Sequence, residues 1–96
     1  MIANPSIDLT GIDVDSIERE YWNRHLDAVP DAELVAAAAR LVAVPRRDPA
    51  SSFVLHAPLE LAARAALLPL VHPEQRDAAR VRIVSLVAGY DAVEPA

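Results

Sequence analysis

The feature that most limits the fold of this chain is a long apolar run at residues 58–71, PLELAARAALLPLV. Only Glu60 and Arg64 interrupt it, and side chains four positions apart lie on the same side of a helix. Alanine and leucine, which fill most of the run, favour helix over sheet. Because a helix that is apolar nearly all round is usually buried, the run predicts a central helix.

This predicted helix has two apolar sides. At about 100° per residue, Leu59 and Leu70 lie on one side. Leu61 and Leu68 lie on a second side, nearly opposite the first. Two arrangements fit this pattern: the helix is the centre of a monomeric bundle, or one side packs inside the subunit and the other packs against a second chain. The run does not reach the roughly 20 consecutive apolar residues that a membrane span requires.

Prolines and capping residues divide the rest of the chain into short helices. The pattern predicts helices at residues 15–28, 32–44 and 73–90. Asp15 followed by Glu18 predicts a capping box for the first of these helices. Asp31 is the predicted N-cap of the second.

Other prolines leave the bounds of the apolar helix partly open. Pro69 favours an end near Leu68, because the residue that precedes a proline avoids helical geometry. A short helix could begin near Pro49, with Asp48 as its N-cap. The pattern does not decide whether that helix continues through Pro58 with a kink or stops before it.

Together these elements predict an all-α fold, a small bundle of four to five short helices, and we expect it to be oligomeric. A single helical domain would occupy residues 15–90, with an irregular N-terminal arm at 1–14 and a C-terminal tail at 91–96. The arm is either a mobile tail or a segment that wraps its own subunit or a partner.

Composition excludes several functions. The net charge of −5 argues against a nucleic-acid binder, which usually has a basic face. Without cysteine there are no disulfides, thiolate metal sites or cysteine nucleophiles. With only two glycines we expect no phosphate-binding loop, and we expect no cofactor. Ser51 and Ser52 precede His56 by four or five residues, but no glycine-rich elbow or oxyanion loop accompanies them. The chain is therefore not expected to be an independent enzyme, although it could be the non-catalytic small subunit of one. No secretory signal is apparent, so a cytoplasmic location is expected.

Arginine is the basic residue of this chain, and most arginines are expected in solvent. Arg76 and Arg80 share one side of the last predicted helix, where nearby carboxylates balance them. Arg46 and Arg47 stand in a loop rich in proline and serine. This second pair could meet a carboxylate or a phosphate, but a solvated pair is the simpler expectation.

Three residues form a weak candidate metal site. His56 and Glu60 are four apart, so on one helix they would face the same way. His72 could complete a site with imidazole and carboxylate ligands. If a helix begins at Pro58, the spacing argument fails.

The leading hypothesis is a small helical protein–protein interaction module, either a homodimer or an accessory or regulatory subunit of a larger enzyme or assembly. Its partner would be itself or a larger protein, with no nucleic acid and no membrane involved. The last helix supports this hypothesis because it too has apolar residues on two sides. The predicted interface residues are Trp22, Leu61, Leu68, Val81 and Val84. The alternative is a ligand- or metal-binding helical bundle that uses His56, Glu60 and His72.

Overall fold

The structure, a computed structural model, describes residues 7–46 and 52–93, apart from the side chains of Ser52, Phe53 and Leu55. Within these residues the chain folds into four α-helices and no strand, so the all-α prediction is confirmed. The helices are α1 (Ile17–Asn23), α2 (Asp31–Val42), α3 (Ser52–Leu67) and α4 (Arg76–Asp91). Short 3-10 turns follow α1, follow α3 and precede α4, at Leu26–Ala28, Leu68–Leu70 and Pro73–Gln75.

The last helix, α4, lies at the centre of the fold. It packs against α1, α2 and α3. Its buried residues occupy more than one side of the helix: Arg80, Ile83, Val84, Leu86, Val87, Ala88 and Tyr90. The central helix is therefore α4. The apolar run, which was predicted to be central, forms α3 and packs against one side of α4.

The first helix is shorter than predicted. It ends at Asn23, and soon afterwards His25 adopts a left-handed backbone conformation with φ of 56°. An α-helix cannot continue through that conformation. The predicted capping box is also absent. Ser16 occupies the N-cap position without a capping side-chain bond, and the carboxylate of Asp13 accepts a hydrogen bond from the amide of Asp15 at 2.9 Å.

The structure decides the course of α3. The helix continues through Pro58, and its α-helical part ends at Leu67, close to the end that Pro69 predicts. Pro69 lies in the first turn of the following 3-10 turn, where the missing N–H costs little. The possible helix start near Pro49 lies outside the described residues.

The N-terminal arm packs on its own chain over residues 7–14. Leu9 and Ile12 are buried in the core. Gly11 has a φ of 70°, and its amide donates a hydrogen bond to Asp91 at the end of α4, at 2.9 Å. For these residues the wrapping arm is the correct alternative. Asp91, expected to begin a free tail, is the last residue of α4 and anchors this arm.

Candidate protein interaction surface

The two apolar sides of α3 have different surroundings. Leu61 and Leu68 are 4% and 5% exposed and pack in the core. Leu59 and Leu70 are 69% and 79% exposed. A helix on the surface of a globular domain normally carries polar residues opposite its buried side. The outer side of α3 is apolar instead.

This outer side forms a continuous stripe of large and small apolar residues. Alanines fill its middle, and leucines stand at both ends. We call it the outer stripe; its exposed members are Leu59, Ala62, Ala63, Ala66 and Leu67 on α3 and Leu70 on the 3-10 turn that follows it. Alanine side chains allow another helix to approach closely, since interaxial distance depends on the side chains at the contact.

An apolar groove runs beside the outer stripe, between α2 and α3. One part has a volume of about 310 Å³ and is lined by Val35, Ala39, Val42, Ala43, Pro58, Leu61 and Ala62. The next part, of about 520 Å³, shares Val35 and Ala39 with the first and extends to Ala65, Leu68 and Pro69. Because Ala62 belongs to both the groove and the stripe, the two make one surface, the α2–α3 surface. Among the described residues that line the groove, Asp31 is the only charged one.

Charges border the outer stripe on its other flank, toward α4. Glu60 and Arg64 form an ion pair with 3.3 Å between Oε2 and Nη2. Arg64 also donates from Nη1 to the carbonyl oxygen of Arg82 on α4, at 2.7 Å. The stripe thus has an apolar flank against α2 and a charged flank against α4.

The predicted interface residues have different surroundings. Leu61, Leu68 and Val84 are buried in the core of this single chain, and Leu61 and Leu68 also line the groove. Val81 is partly buried. Trp22 is exposed on α1, where its ring meets that of Tyr21 edge-on, and it lines neither part of the groove. Among the described side chains of α3, the exposed leucines and alanines are those of the outer stripe.

The structure does not assemble the candidate metal site. His56 is exposed, and Glu60 pairs with Arg64. His72 is the N-cap of the 3-10 turn before α4, where its Nδ1 accepts a hydrogen bond from the amide of Glu74 at 3.2 Å. Among the described residues, no three His, Asp or Glu side chains are grouped so that they could hold a metal ion.

Arg80 contradicts the expected solvated arginine face, because it is fully buried. Its Nε donates to the hydroxyl of Tyr21 at 3.0 Å, and Nη1 pairs with Asp31. Nη2 donates to the carbonyl oxygens of Leu26, at 2.6 Å, and of Val29. A buried guanidinium is tolerated when its donors are paired in this way. We call this group the Arg80 cluster.

The Arg80 cluster includes two more members on α4. Arg76 pairs with Asp31 at 2.9 Å, and Asp77 accepts a hydrogen bond from the Tyr21 hydroxyl at 2.6 Å. Asp31, the predicted N-cap of α2, is instead its first residue after Pro30, and its carboxylate turns toward α4. The cluster joins α1, α2 and α4, so its role is to hold the helices together.

The Arg80 cluster shifts two pKa values. Burial raises the pKa of the Tyr21 hydroxyl above its usual value, the hydrogen bond to Asp77 raises it further, and Arg80 offsets only part of this rise. Burial by itself lowers the pKa of Arg80, but the hydrogen bonds to Tyr21 and Asp31 and their charges raise it above the usual value. Arg80 therefore carries its charge at neutral pH.

Arg46 is also buried, against the expectation of a solvated pair. It pairs with Asp91 at 3.3 Å, donates to the carbonyl oxygen of Val93 at 3.1 Å and lies over the ring of Tyr90. The carboxylate that it meets belongs to its own chain. Arg47 lies outside the described residues.

No protein-family model, curated protein or solved structure matches this chain. Among the helices of the described residues, none has the length and hydropathy that a membrane span needs.

Proposed function

We propose that this chain is a small helical protein–protein interaction module that acts through the α2–α3 surface. It either pairs with itself or serves as the accessory or regulatory subunit of a larger enzyme or assembly. One observation carries the proposal: α3 is apolar on opposite sides, and this chain covers only the side of Leu61 and Leu68. An exposed apolar patch of this continuity is typical of an interaction surface.

The chemistry of the groove favours a protein partner over a small molecule. Pockets for small molecules combine apolar walls with a few polar groups that fix the orientation of the ligand. The groove between α2 and α3 has Asp31 at one end and apolar residues along the rest of its described lining. The apolar side of a second helix matches such a surface, because recognition of helices relies on side chains spaced three and four apart in an apolar groove.

The energetics require more than the leucines of the outer stripe. Full burial of three leucine side chains contributes roughly 4–9 kcal/mol. Association itself costs about 4–15 kcal/mol in lost rotational and translational freedom. A stable complex would therefore cover the groove as well as the stripe, so that alanines of α2 and α3 add their area.

Nothing in the contacts of the described residues supports the alternative of a metal- or ligand-binding bundle. His56, Glu60 and His72 belong to no potential metal-binding group in that part of the chain, and Glu60 and His72 have other partners.

Native mass spectrometry of the protein purified from its own host tests the proposal. We expect a species heavier than the 10.4 kDa chain, either a multiple of that mass or a complex with another protein. Leu59→Glu should release the monomer without loss of helical content, because Leu59 is exposed. The matched control is Val14→Glu, at an exposed apolar residue that lines neither part of the groove, and it should leave the heavier species intact. A wild-type monomer at high concentration without a partner, or an assembly that Leu59→Glu does not affect, would contradict the proposal.

A further inference from the structure

The two charges on the flank of the outer stripe follow one another in an order that is complementary to the same flank of a second copy. Glu60 and Arg64 lie on the same flank of α3, two residues before and two residues after the level of Ala62. When two antiparallel helices are related by a twofold axis between them, each flank meets the same flank of the other helix, in reverse order. With the axis at the level of Ala62, Glu60 of each copy faces Arg64 of the other.

From this relationship we propose that the outer stripe binds α3 of a second copy, antiparallel, about a twofold axis at the level of Ala62. The inference rests on the proposed function and names the partner. Within one chain Glu60 and Arg64 pair at 3.3 Å. In the dimer, these residues of both copies would form a ring of two carboxylates and two guanidinium groups. A parallel pair would instead bring the charged flank against the flank that faces α2, where Ala62, Ala65 and Pro69 provide no charge.

The apolar residues fit the same register. Leu59 lies about 4.5 Å along the helix from the axis, at about 1.5 Å per residue. On the second copy, Ala63 and Ala66 lie about 1.5 and 6 Å from the axis on that side. Leu59 of each copy therefore faces the space among the alanines of the other copy.

The small side chains also permit a close approach of the two helices. Packed helices lie about 8–10 Å apart, and the side chains at the contact set the distance within that range. The alanines of the outer stripe are exposed and small. We therefore expect an interaxial distance of about 8 Å, at the short end of the range.

A charge-exchange experiment tests the antiparallel pair. Glu60→Arg gives a chain with two positive charges on the flank, and Arg64→Glu gives a chain with two negative charges. Each variant alone should self-associate roughly tenfold more weakly than the wild type, because the ring of charges becomes repulsive. An equimolar mixture should form a heterodimer of the two chains with about the wild-type affinity. Sedimentation velocity measures the affinities, and native mass spectrometry of one isotopically labelled variant identifies the heterodimer.

The comparison of each single variant with the mixture provides the control. Both variants lose the same ion pair within the chain, so a role confined to the monomer predicts that mixing changes nothing. Glu60 and Arg64 are partly exposed, so both variants should keep the fold. Mixing without a heterodimer, or single variants that self-associate as the wild type does, would overturn the proposal.

Disulfide trapping tests the direction and the register. The chain has no cysteine, so one substitution provides the only thiol. Ala63→Cys, about 3 Å along the helix from its own copy, should form a disulfide-linked dimer on oxidation. Leu70→Cys, roughly 24 Å from its own copy by the helical rise, should not. Efficient linkage of both would indicate a parallel pair, and linkage of neither would exclude this contact.

Two results distinguish a failure of self-pairing from a failure of the interaction module. If the wild type is found bound to another protein and Leu59→Glu disrupts that complex, self-pairing is wrong and the interaction module stands. If the wild type stays monomeric with no partner, both are wrong.

Discussion

Nε of Arg80 on α4 lies 3.0 Å from the hydroxyl oxygen of Tyr21 on α1, which in turn donates to Asp77 on α4 at 2.6 Å. The hydroxyl thus accepts from a cation and donates to an anion, and both bonds join the first helix to the last. Since α1 has only seven residues, it depends on such contacts more than on its own helical bonds.

Arg80→Met should strongly destabilise the fold. The substitution removes the guanidinium, so the carbonyl oxygen of Val29 loses this donor and that of Leu26 keeps only the amide of Val29. Removal of one partner from a buried charge network costs about 3–5 kcal/mol, a large share of the roughly 5–15 kcal/mol by which a small domain is stable. Urea unfolding monitored by circular dichroism measures the loss.

Arg82→Met is the matched control, two residues further along α4 and exposed. We expect it to change the free energy of unfolding by less than about 0.5 kcal/mol. Equal losses in the two variants would show that the Arg80 cluster contributes no special stability.

Tyr21→Phe should change both the stability and its dependence on alkaline pH. At neutral pH the lost hydroxyl removes the partner of the Asp77 carboxylate and of Nε of Arg80, which costs about 1–3 kcal/mol. The pKa of Tyr21 is raised in the folded chain, above the value of about 10 for an unfolded tyrosine. Its contribution is therefore complete below a pH of about 10 and is lost as the pH rises through the folded pKa.

Urea unfolding at a series of pH values, from neutral to above the folded pKa of Tyr21, tests this dependence. The wild type should lose stability above the unfolded tyrosine pKa more steeply than Tyr21→Phe does, and the two curves should converge as the pH rises. Parallel curves over the whole range would mean that Tyr21 is not held in its protonated form by the Arg80 cluster.

The sequence spacing places residue 80 on the buried side of α4, but a charged residue is not expected there. Residue 80 precedes Ile83, Val84 and Val87 by three, four and seven positions, which is the spacing of one helix side. Because arginine is charged, the pattern of apolar residues does not include Arg80 in that side. The sequence does not show which acceptors Arg80 meets. They include carbonyl groups before α2, which come within reach only where the chain turns between α1 and α2.

The end of α3 was easier to predict than its inner side. The effect of Pro69 on the backbone is local, and α3 ends close to the position that this proline indicates. In contrast, Leu59 and Leu61 are the same residue type on opposite sides of one helix. The choice between them depends on how α3 packs on α4, which no local pattern records.

Paired alanine substitutions on α3 test which side is inside. Leu61 is buried and Leu59 is largely in water. Leu61→Ala should cost about 2–5 kcal/mol, because it leaves a cavity in the core. Leu59→Ala should change the stability of the monomer by less than about 0.5 kcal/mol, as is usual for a surface substitution. Urea unfolding at low protein concentration separates this effect from association, and a larger loss at Leu59 than at Leu61 would place the opposite side of α3 against α4.

Pro58→Ala should make the fold more stable, which is unusual for a substitution inside a helix. Pro58 lies within α3 and has no N–H to donate to the carbonyl oxygen of Val54, and an interior proline costs about 3 kcal/mol. Alanine restores that bond but makes the unfolded chain more flexible, which takes back about 0.4–1 kcal/mol. We therefore expect a net gain of about 2–2.6 kcal/mol in urea unfolding, with slow hydrogen exchange at the new amide.

Pro69→Ala is the control for this prediction, with the opposite sign expected. Pro69 stands in the first turn of the 3-10 turn that follows α3, where the fixed φ of proline suits the backbone. Replacement by alanine loses the restriction of the unfolded chain, so stability should fall by about 0.4–1 kcal/mol. If both variants are destabilised, Pro58 stabilises the fold through its packing by more than the missing hydrogen bond costs.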